Sequence, residues 1–332
     1  MVKGLFILDK KVIDQVYPPN IKKEIEELAD IIASPLSRDE VYENKEILKD
    51  VEVIFSSWGG PKLDADFLEA APNLKALFYA AGSVKKIVTD ASWKKGIKVM
   101  NANEANAVPV AEYTLSQILF SLKNGWQMVR KVRKTKTYPD WPHANIKGAF
   151  GSTVGLISLS TVGRKVNELL KYFDINVLAY DPFVDEKEAK ELNVELCSLE
   201  DIFKRSDVVS LHSPLLEETK GMIKGKHIAS MKENRVFINT ARGAIVKELE
   251  MINVLKERPD LTAILDVTYP EPPEKDSDLF LLDNVVLTPH IAGSEGEETG
   301  RMGAYMLEEF KRYLNGEELK WEVTKEAFKH MA

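Results

Sequence analysis

Short apolar runs alternate with longer amphipathic stretches, and this alternation occurs twice along the chain. The strand-like runs of the first series cover residues 5–8, 51–55, 76–79 and 97–100. The helix-like stretches between them cover residues 21–29, 40–48, 64–70 and 91–95. Alternation of this kind is typical of a parallel β-sheet covered by helices.

A long helical pattern over residues 105–134 separates the two series, with Pro109 expected near its first turn, where a missing N–H is tolerated. A loop rich in aromatic residues and proline follows at 138–143. The second series has strand-like runs at 154–158, 176–180, 208–211, 236–239, 263–265 and 285–287. A last helix is expected over 297–314, before a polar tail, and the sequence permits it to return to the first domain.

The length and composition set limits on the class of protein. A chain of 332 residues corresponds to two domains at about 150 residues each. Its 45 basic and 52 acidic residues give a net charge of −7, which is unsuited to general nucleic-acid binding. No apolar run approaches the roughly 18 residues of a membrane span, and the N-terminus reads as a buried strand rather than a signal peptide. The single cysteine, Cys197, excludes an intrachain disulfide and favours a reducing, cytoplasmic compartment.

The start of the second series contains an altered dinucleotide-binding turn. A glycine fingerprint of the type G-x-G-x-x-G would here read Ser158-x-Ser160-x-x-Gly163, so only the third glycine is present. A serine adds bulk near a pyrophosphate, but its hydroxyl could also donate to it. Asp181 follows the next strand-like run and can accept from the ribose hydroxyls of an adenosine. Because no cation follows Asp181, the pattern favours NAD over NADP; the alternative is a plain strand–turn–helix without a ligand.

Four charged or titratable residues lie at or just after strand-like runs of the second series. They are Arg242, Asp266, Glu271 and His290. In doubly wound folds ligands bind at the carboxyl ends of the strands. An arginine can hold a carboxylate bidentately, and a histidine beside a carboxylate can transfer a proton. Hydride transfer between a 2-hydroxy acid and NAD requires such a set; taken singly, each residue is equally compatible with a surface, capping or core role.

Two further observations concern the histidines and metal binding. His212 also follows a strand-like run and could face the cofactor. No His, Cys or Asp cluster has metal-ligand spacing, so no metal is expected.

Several motifs then resemble the D-isomer-specific 2-hydroxyacid dehydrogenases. The resemblance covers nearly the whole chain and is strongest from Gly155 to Gly293. It is carried by the segments DVVSLHSPL (207–215), INTARG (238–243), LDV (265–267) with Glu271-Pro272, and TPHIAG (288–293). Earlier in the chain, AAGS (80–83) is similar to a turn that cradles the substrate carboxylate, and VAEY (110–113) to the start of the helix that enters the cofactor domain.

The resemblance implies an α/β protein with two Rossmann-like or flavodoxin-like domains, each with a parallel sheet. Residues 1–104 plus 295–332 would form a discontinuous substrate domain, and residues 105–294 the NAD-binding domain. The family pattern makes Arg242, Glu271 and His290 catalytic, and adds Ala81, Gly82 and Ser83 to Arg242 and His290 as substrate contacts. The residues that would contact NAD are Ser160, Thr161, Val162, Asp181, Pro182, His212, Ser213, Pro214, Thr219, Thr240, Ala241, Arg242, Asp266, His290 and Gly293.

The implied reaction is hydride transfer between nicotinamide and C2 of a small 2-hydroxy or 2-keto acid. Asp266 would support the nicotinamide end of the site. A homodimer is expected around the long helix and the loop that carries Trp141, without a nucleic-acid or membrane partner. Two alternatives are an NAD-sensing binding protein, such as the corepressors of this family, and a catalytically impaired relative.

The chain departs from the family pattern at two places. Ser158 and Ser160 replace the first two fingerprint glycines, which motivates the impaired alternative. Lys85 and Lys86 stand where the family often has Asn or Asp. These two lysines could favour a larger or multiply charged acid, or could be solvated surface cations.

Overall fold

The computed structural model describes residues 1–140 and 146–331, which divide into two compact units. The first unit contains residues 1–107 and 294–332, and the second contains residues 108–293. The chain therefore leaves the first unit after residue 107 and returns to it at residue 294.

The first unit is built on a five-stranded sheet in which every strand is parallel to its neighbours. Its strands are β1 Val2–Ile7, β2 Ala29–Ile31, β3 Val53–Ser56, β4 Ala76–Tyr79 and β5 Lys98–Asn101. The strand order is β2-β1-β3-β4-β5, the flavodoxin-like order. Both faces are covered, so the central strands β3 and β4 are buried at every position rather than alternating.

Helices of this unit come from both ends of the chain. They are Ile13–Val16, Pro19–Leu28, Arg38–Glu43, Ala65–Ala70, Asp90–Lys95, the start of Asn103–Leu122, Thr299–Asn315 and Lys325–Lys329. The helix Thr299–Asn315 packs on the first sheet, where the Phe310 ring lies edge-on to Phe55 and Phe78 at 4.9 and 5.2 Å. The last long helix therefore does return to the first unit.

The second unit has seven parallel strands. They are β6 Ser152–Ile157, β7 Ile175–Tyr180, β8 Glu195–Leu196, β9 Val208–Leu211, β10 Val236–Asn239, β11 Thr262–Leu265 and β12 Val285–Leu287. The order β12-β11-β10-β9-β6-β7-β8 reverses direction between β6 and β9, where ligands bind in doubly wound sheets. The predicted fold class, with two parallel Rossmann-like sheets, is confirmed.

The helices of the second unit lie between these strands, after the rest of Asn103–Leu122. They are Gly125–Thr135, Thr161–Leu170, Glu186–Leu192, Leu199–Arg205, Gly225–Ala229 and Glu248–Glu257. In the part of the chain that the structure describes, no helix is long and apolar enough to span a membrane.

The single helix predicted over 105–134 is wrong. The structure has two helices, Asn103–Leu122 and Gly125–Thr135, separated at Asn124, which has a left-handed backbone with φ 49°. An Asn-Gly pair is a turn signal, and a Cβ at Gly125 would overlap the Phe120 ring at 2.4 Å. Pro109 is also misplaced by the prediction, because the helix begins at Asn103 and the proline lies well inside it.

Two short edge strands and one helix boundary were also missed. Strands β2 and β8 have only three and two residues, too few to show a period. The helix predicted over 40–48 is instead an α-helix, Arg38–Glu43, followed by a 3-10 helix, Lys45–Asp50. Ser37 begins the first of these with a capping box to Glu40.

Candidate active site

His290 lies just after β12, in a loop held by the carboxylate of Asp266 at the end of β11. Asp266 is 2% exposed, and its Oδ1 accepts from the Thr288 hydroxyl at 2.6 Å and from the Ile291 N–H at 2.9 Å. Its Oδ2 accepts from the Ala292 N–H at 2.9 Å. A buried carboxylate requires several donors, and these three are on the residues that flank His290.

The His290 ring is paired with Glu271. Its Nδ1 lies 2.5 Å from Glu271 Oε1, and both side chains are partly exposed. The backbone of His290 is left-handed, with φ 56°, and its N–H donates to the carbonyl oxygens of Asp266 and Thr288. A cavity of about 510 Å³ opens beside this pair and is lined by Pro272, Phe280 and Leu287 among others. The geometry leaves Nε2 as the ring nitrogen that can face a substrate.

Glu271 also acts on Arg242, which follows β10. Burial lowers the pKa of the Arg242 guanidinium, and the negative charge of Glu271 opposes that shift. The Arg242 Nη1 donates to the Ala241 carbonyl at 2.6 Å, while Asn239 accepts from Ala241 N–H and donates to the Arg242 carbonyl. These bonds fix the turn that presents the arginine. The structure therefore brings Arg242, Glu271 and His290 into one electrostatic group.

Gly243 allows the loop that carries Arg242 to pack closely against the loop that carries Glu271. A Cβ on Gly243 would lie 2.0 Å from the carbonyl carbon of Thr268, a separation that real Cβ atoms do not adopt. Thr268 in turn donates its hydroxyl to the Pro270 carbonyl at 2.8 Å. The two loops can approach this closely because residue 243 has no side chain.

The altered glycine turn keeps the geometry of a dinucleotide-binding turn at two of its three positions. A Cβ on Gly163 would lie 2.2 Å from the Ser158 carbonyl oxygen, so this glycine is required for close packing of helix and strand. Ser158 has φ 76°, the left-handed conformation for which glycine is usual at that position. The serine therefore follows the backbone path of the glycine that it replaces.

The Ser160 hydroxyl is used within the protein in this structure. It donates to the His212 carbonyl oxygen at 2.7 Å and caps the helix Thr161–Leu170 by accepting from the Gly163 N–H. The one contact uses its proton and the other a lone pair. The contact of Ser160 with the cofactor stays a prediction.

Asp181, at the end of β7, faces the same turn. Its Oδ2 accepts from the Leu159 N–H at 2.7 Å and from the Ser158 hydroxyl at 3.2 Å, and its Oδ1 accepts from the Phe183 N–H at 2.9 Å. A carboxylate has about four acceptor positions, so one remains for a ribose hydroxyl. Phe183 is 81% exposed and brings no cation.

His212 supplies the observation that points most directly to a ligand. It is 5% exposed, and neither ring nitrogen has a hydrogen-bond partner among the described residues. Burial lowers its pKa to about 3, so the ring is neutral and can offer one donor and one acceptor. Its Cβ lies 3.6 Å from the position that a Cβ on Gly163 would take. Together with the Gly163 cradle and Asp181, this unpaired ring fits a dinucleotide.

The remaining residues predicted to contact NAD lie at the same carboxyl ends of the second sheet. Thr161 and Val162 begin the helix after β6, Pro182 follows β7, Ser213 and Pro214 follow β9, Thr240 and Ala241 follow β10, and Gly293 ends the unit. The Thr219 hydroxyl closes its own loop by donating to the Pro214 carbonyl, and the Thr240 hydroxyl lies 3.3 Å from that of Thr114. The observed contacts of the Asp266 carboxylate are with the His290 loop, so its predicted role beside nicotinamide stays a prediction.

The predicted carboxylate turn belongs to the first unit. The Ala81 N–H donates to the Tyr79 carbonyl at 2.8 Å and is therefore already used, while the substrate contacts of Gly82 and Ser83 stay predictions. Gly82 is held by Asn101, whose side chain donates to its carbonyl at 2.9 Å. Lys85 Nζ lies over the Phe328 ring at 4.5 Å, so this lysine has a structural partner, whereas Lys86 is exposed.

Sequence reasoning assigned no role to three residues that shape this site: Asn239, Gly243 and Tyr113. The first two are inside the INTARG segment, where only Thr240, Ala241 and Arg242 were given roles. Tyr113, on the helix Asn103–Leu122, lies 2.9 Å from the Thr288 hydroxyl through its own hydroxyl. The VAEY segment contains this tyrosine, but its contact could not be predicted locally, because its partner is 175 residues away along the chain.

Comparison with known proteins identifies the family. Residues 115–292 match the sequence model described as D-isomer specific 2-hydroxyacid dehydrogenase, NAD binding domain. A hydroxypyruvate reductase from Thermotoga maritima is 33% identical over 297 residues, which cover 88% of this chain and 92% of that protein. The chain belongs to this family. Its second unit contains the family's NAD-binding domain.

Other relatives show how the chain differs in length. A D-3-phosphoglycerate dehydrogenase from Methanocaldococcus jannaschii is 34% identical over 299 residues, covering 89% of this chain and 55% of that protein. The chain thus spans about half the length of this relative. Among solved structures, a D-lactate dehydrogenase from Aquifex aeolicus, complexed with NAD and lactic acid, is 27% identical with a TM-score of 0.69, covering 94% of this chain and 96% of the other.

Proposed function

We propose that this protein is an NAD-dependent D-2-hydroxyacid dehydrogenase, which interconverts a small 2-keto acid and the corresponding 2-hydroxy acid. The observation that carries the proposal is the 2.5 Å contact between His290 Nδ1 and Glu271 Oε1, beside the guanidinium of Arg242. A carboxylate-oriented histidine next to an arginine can protonate a carbonyl oxygen while the substrate carboxylate is held. The relatives named hydroxypyruvate reductase and glyoxylate reductase support small 2-keto acids as the substrate class.

Each residue has a distinct role in the proposed reaction. Arg242 binds the carboxylate and carbonyl oxygens of the substrate with its planar fork. Glu271 holds Nδ1 of His290, which leaves Nε2 to carry the proton toward the keto oxygen. NADH, when bound, supplies the hydride that reaches C2. In the oxidative direction His290 accepts the hydroxyl proton. That Gly82 and Ser83 also contact the substrate stays a prediction from the family resemblance.

The test is a panel of 2-keto acids, beginning with hydroxypyruvate and glyoxylate, in which the loss of NADH absorbance is followed. We expect turnover of at least one acid, and formation of the D-hydroxy acid. An NAD-sensing protein or an impaired relative would instead bind NADH without turnover of any acid in the panel. The combined chemistry of Arg242, Glu271 and His290 supports the enzyme over those alternatives.

The cofactor preference is a separate proposal. Asp181 repels a 2′-phosphate and no cation of the Pro182–Val184 segment compensates, so we propose a preference for NADH over NADPH. Parallel titrations and rate measurements with the two cofactors test this. Equal or better turnover with NADPH would contradict it.

The role of Glu271 can be separated from that of His290 by comparing two substitutions. Glu271→Gln keeps the shape and a hydrogen-bonding group but removes the carboxylate that lies 2.5 Å from His290 Nδ1. We expect kcat for keto-acid reduction to fall in Glu271→Gln, but by less than in His290→Ala, which removes the proton donor itself. The measurement is kcat at saturating NADH for both variants and the wild type. An unchanged kcat in Glu271→Gln would remove Glu271 from this role.

We also propose a cytoplasmic homodimer. Support comes from the family resemblance and from exposed apolar side chains on and after the helices Asn103–Leu122 and Gly125–Thr135, namely Phe120, Val129 and Tyr138. Trp141, the residue predicted to carry the interface loop, lies outside the described residues. Light scattering at micromolar concentration is expected to give twice the mass of the chain, and a monomer would contradict the proposal.

A further inference from the structure

Three side chains of the second unit form a hydrogen-bonded chain that ends at the His290 loop. Tyr113 Oη lies 2.9 Å from Thr288 Oγ1, and Thr288 Oγ1 lies 2.6 Å from Asp266 Oδ1. The proposed reaction does not use Tyr113 or Thr288. These hydrogen bonds nevertheless connect Tyr113 and Thr288 to the loop that carries His290.

The direction of the donors follows from the chemistry of the groups. An ionised carboxylate only accepts hydrogen bonds, so the Thr288 hydroxyl must donate to Asp266. The lone pairs of Thr288 Oγ1 then remain to accept the hydroxyl of Tyr113. Burial raises the pKa of Tyr113, which keeps its hydroxyl protonated as a donor at neutral pH. Tyr113 therefore donates to Thr288, and Thr288 donates to Asp266.

Asp266 also hydrogen-bonds to the backbone around His290. Its carboxylate accepts the N–H groups of Ile291 and Ala292, and its own carbonyl accepts the N–H of His290. The backbone of His290 is left-handed, a conformation that persists only when its surroundings fix it. The fixing groups here are Asp266 and Thr288.

The helix that carries Tyr113 makes a comparable contact at the other end of the same segment. In the first unit, Asn106 Oδ1 accepts the N–H of Ser294 at 3.0 Å. Asn106 and Tyr113 are seven residues apart on the helix Asn103–Leu122, which corresponds to about two turns. The segment from Thr288 to Ser294, with His290 inside it, is thus held at each end by a residue of this helix.

We propose that Tyr113 is a positioning residue for His290, acting through the Thr288 hydroxyl and the Asp266 carboxylate. It sets the backbone from which the imidazole reaches Glu271, and it does not touch the reacting atoms. The kinetic part of this proposal rests on the proposed function, whereas the structural part does not.

The first experiment compares Tyr113→Phe with the wild type in steady-state kinetics and in NADH titration. We expect kcat to fall by about fivefold to tenfold, because one hydrogen bond that orders the histidine is lost. KM and the NADH affinity should stay within about twofold of the wild type. The control is Tyr172→Phe, on an exposed tyrosine of the same unit, which should leave all three unchanged.

The second experiment uses Thr288, where the chain offers a conservative and a disruptive substitution. Thr288→Ser keeps the hydroxyl and should retain most of kcat. Thr288→Val removes the hydroxyl, and its kcat should fall at least as far as that of Tyr113→Phe. Equal loss in the serine and valine variants would overturn the proposal, since the hydroxyl would then not be the group that acts.

The third measurement does not depend on turnover. Hydrogen–deuterium exchange of the full chain should show faster exchange of the Ile291 and Ala292 amides in Tyr113→Phe and Thr288→Val than in the wild type, Thr288→Ser and Tyr172→Phe. If the wild type reduces no keto acid, the proposed function fails and exchange alone decides the positioning role. Unchanged exchange in Tyr113→Phe overturns that role whatever the kinetics show.

Discussion

The two units have the same architecture of parallel strands, but they differ in the residues at the carboxyl ends of those strands. In the first unit, Ser56 and Ser57 at the end of β3 donate their hydroxyls to the carbonyls of Ile7 and Ala80, and the turn after β4 is Ala-Ala-Gly-Ser. In the second unit the corresponding positions carry Asp181, Arg242 and Asp266, with His290 close behind β12. At the ends of β3 and β4 the first unit presents backbone groups and hydroxyls, whereas the second unit presents charged side chains after β7, β10 and β11.

This difference teaches where each unit is sensitive to substitution. A turn that acts through N–H groups keeps its donors when a side chain is shortened, provided that the backbone does not move. A site that acts through charge loses its chemistry with a single side chain. The first unit should therefore tolerate side-chain changes near its turn, and the second should not.

The largest expected contrast is between His290→Ala and Ser83→Ala. Loss of a general acid typically lowers turnover by roughly a hundredfold to ten-thousandfold, and we expect this for His290→Ala with NADH binding retained. Ser83→Ala keeps the backbone N–H and should change kcat/KM by less than about fivefold. Steady-state kinetics and NADH titration of both variants provide the comparison, which breaks down if the two lose activity equally.

The next contrast concerns two glycines. Gly243→Ala places a Cβ 2.0 Å from the Thr268 carbonyl carbon, so we expect a loss of about 1–3 kcal/mol in unfolding free energy and a large loss of activity. Gly300→Ala, in a helix of the first unit, meets its nearest atom at 3.5 Å and should stabilise by about 0.5–1 kcal/mol. Denaturant unfolding measures both. A neutral Gly243→Ala would show that the two catalytic loops can separate freely.

Acid sensitivity should also reside in the second unit, because His212 is buried there. Its pKa is lowered to about 3 in the folded state, against about 6.5 unfolded, so the stability that depends on it is complete above about pH 6.5 and falls as pH drops below that value. At pH 5 this amounts to about 2 kcal/mol. We expect His212→Gln to lose less unfolding free energy than the wild type between pH 7.5 and 5, measured without cofactor. Identical pH dependence would contradict the burial of a neutral ring.

The smallest expected effect is that of Ser158→Gly. Glycine removes the backbone strain of a left-handed serine, which is roughly 1 kcal/mol, but it also removes the 3.2 Å hydrogen bond from the Ser158 hydroxyl to Asp181. We therefore expect a small gain in stability and an NADH affinity within about tenfold of the wild type. The matched control is Asn193→Gly, since asparagine adopts the same backbone more readily and should gain less. A complete loss of NADH binding would show that the Ser158 hydroxyl is essential.

The sequence predicted the bounds of several strands well and the boundaries between helices poorly. Strands β4, β9, β10 and β12 have the predicted bounds, because each is a mainly apolar run that ends at, or is followed by, a polar or small residue. The break at Asn124 was missed, since the apolar pattern continues through it. The helix Asn103–Leu122 ends at a turn in which Gly125 lies against the Phe120 ring, and hydrophobic periodicity does not reveal such a contact.

The candidate site was predictable as a set of residues and not as a network. Arg242, Glu271 and His290 follow separate elements, and family motifs singled them out before any geometry was known. The direction of the Ser160 hydroxyl and the partners of Asp266 depend on which hydrogen-bonding groups lie nearest in space. Those groups come from the residue after β9, from the loop after β12 and from the helix of Tyr113, so local sequence does not encode the choice.

The left-handed backbone at His290 has a consequence for the stability of the protein. Glycine adopts φ 56° without strain, whereas a histidine there is disfavoured by roughly 1 kcal/mol or more. Glycine at this position would relieve that strain but would remove the ring that lies 2.5 Å from Glu271. The contact between His290 and Glu271 is thus made at the expense of backbone stability.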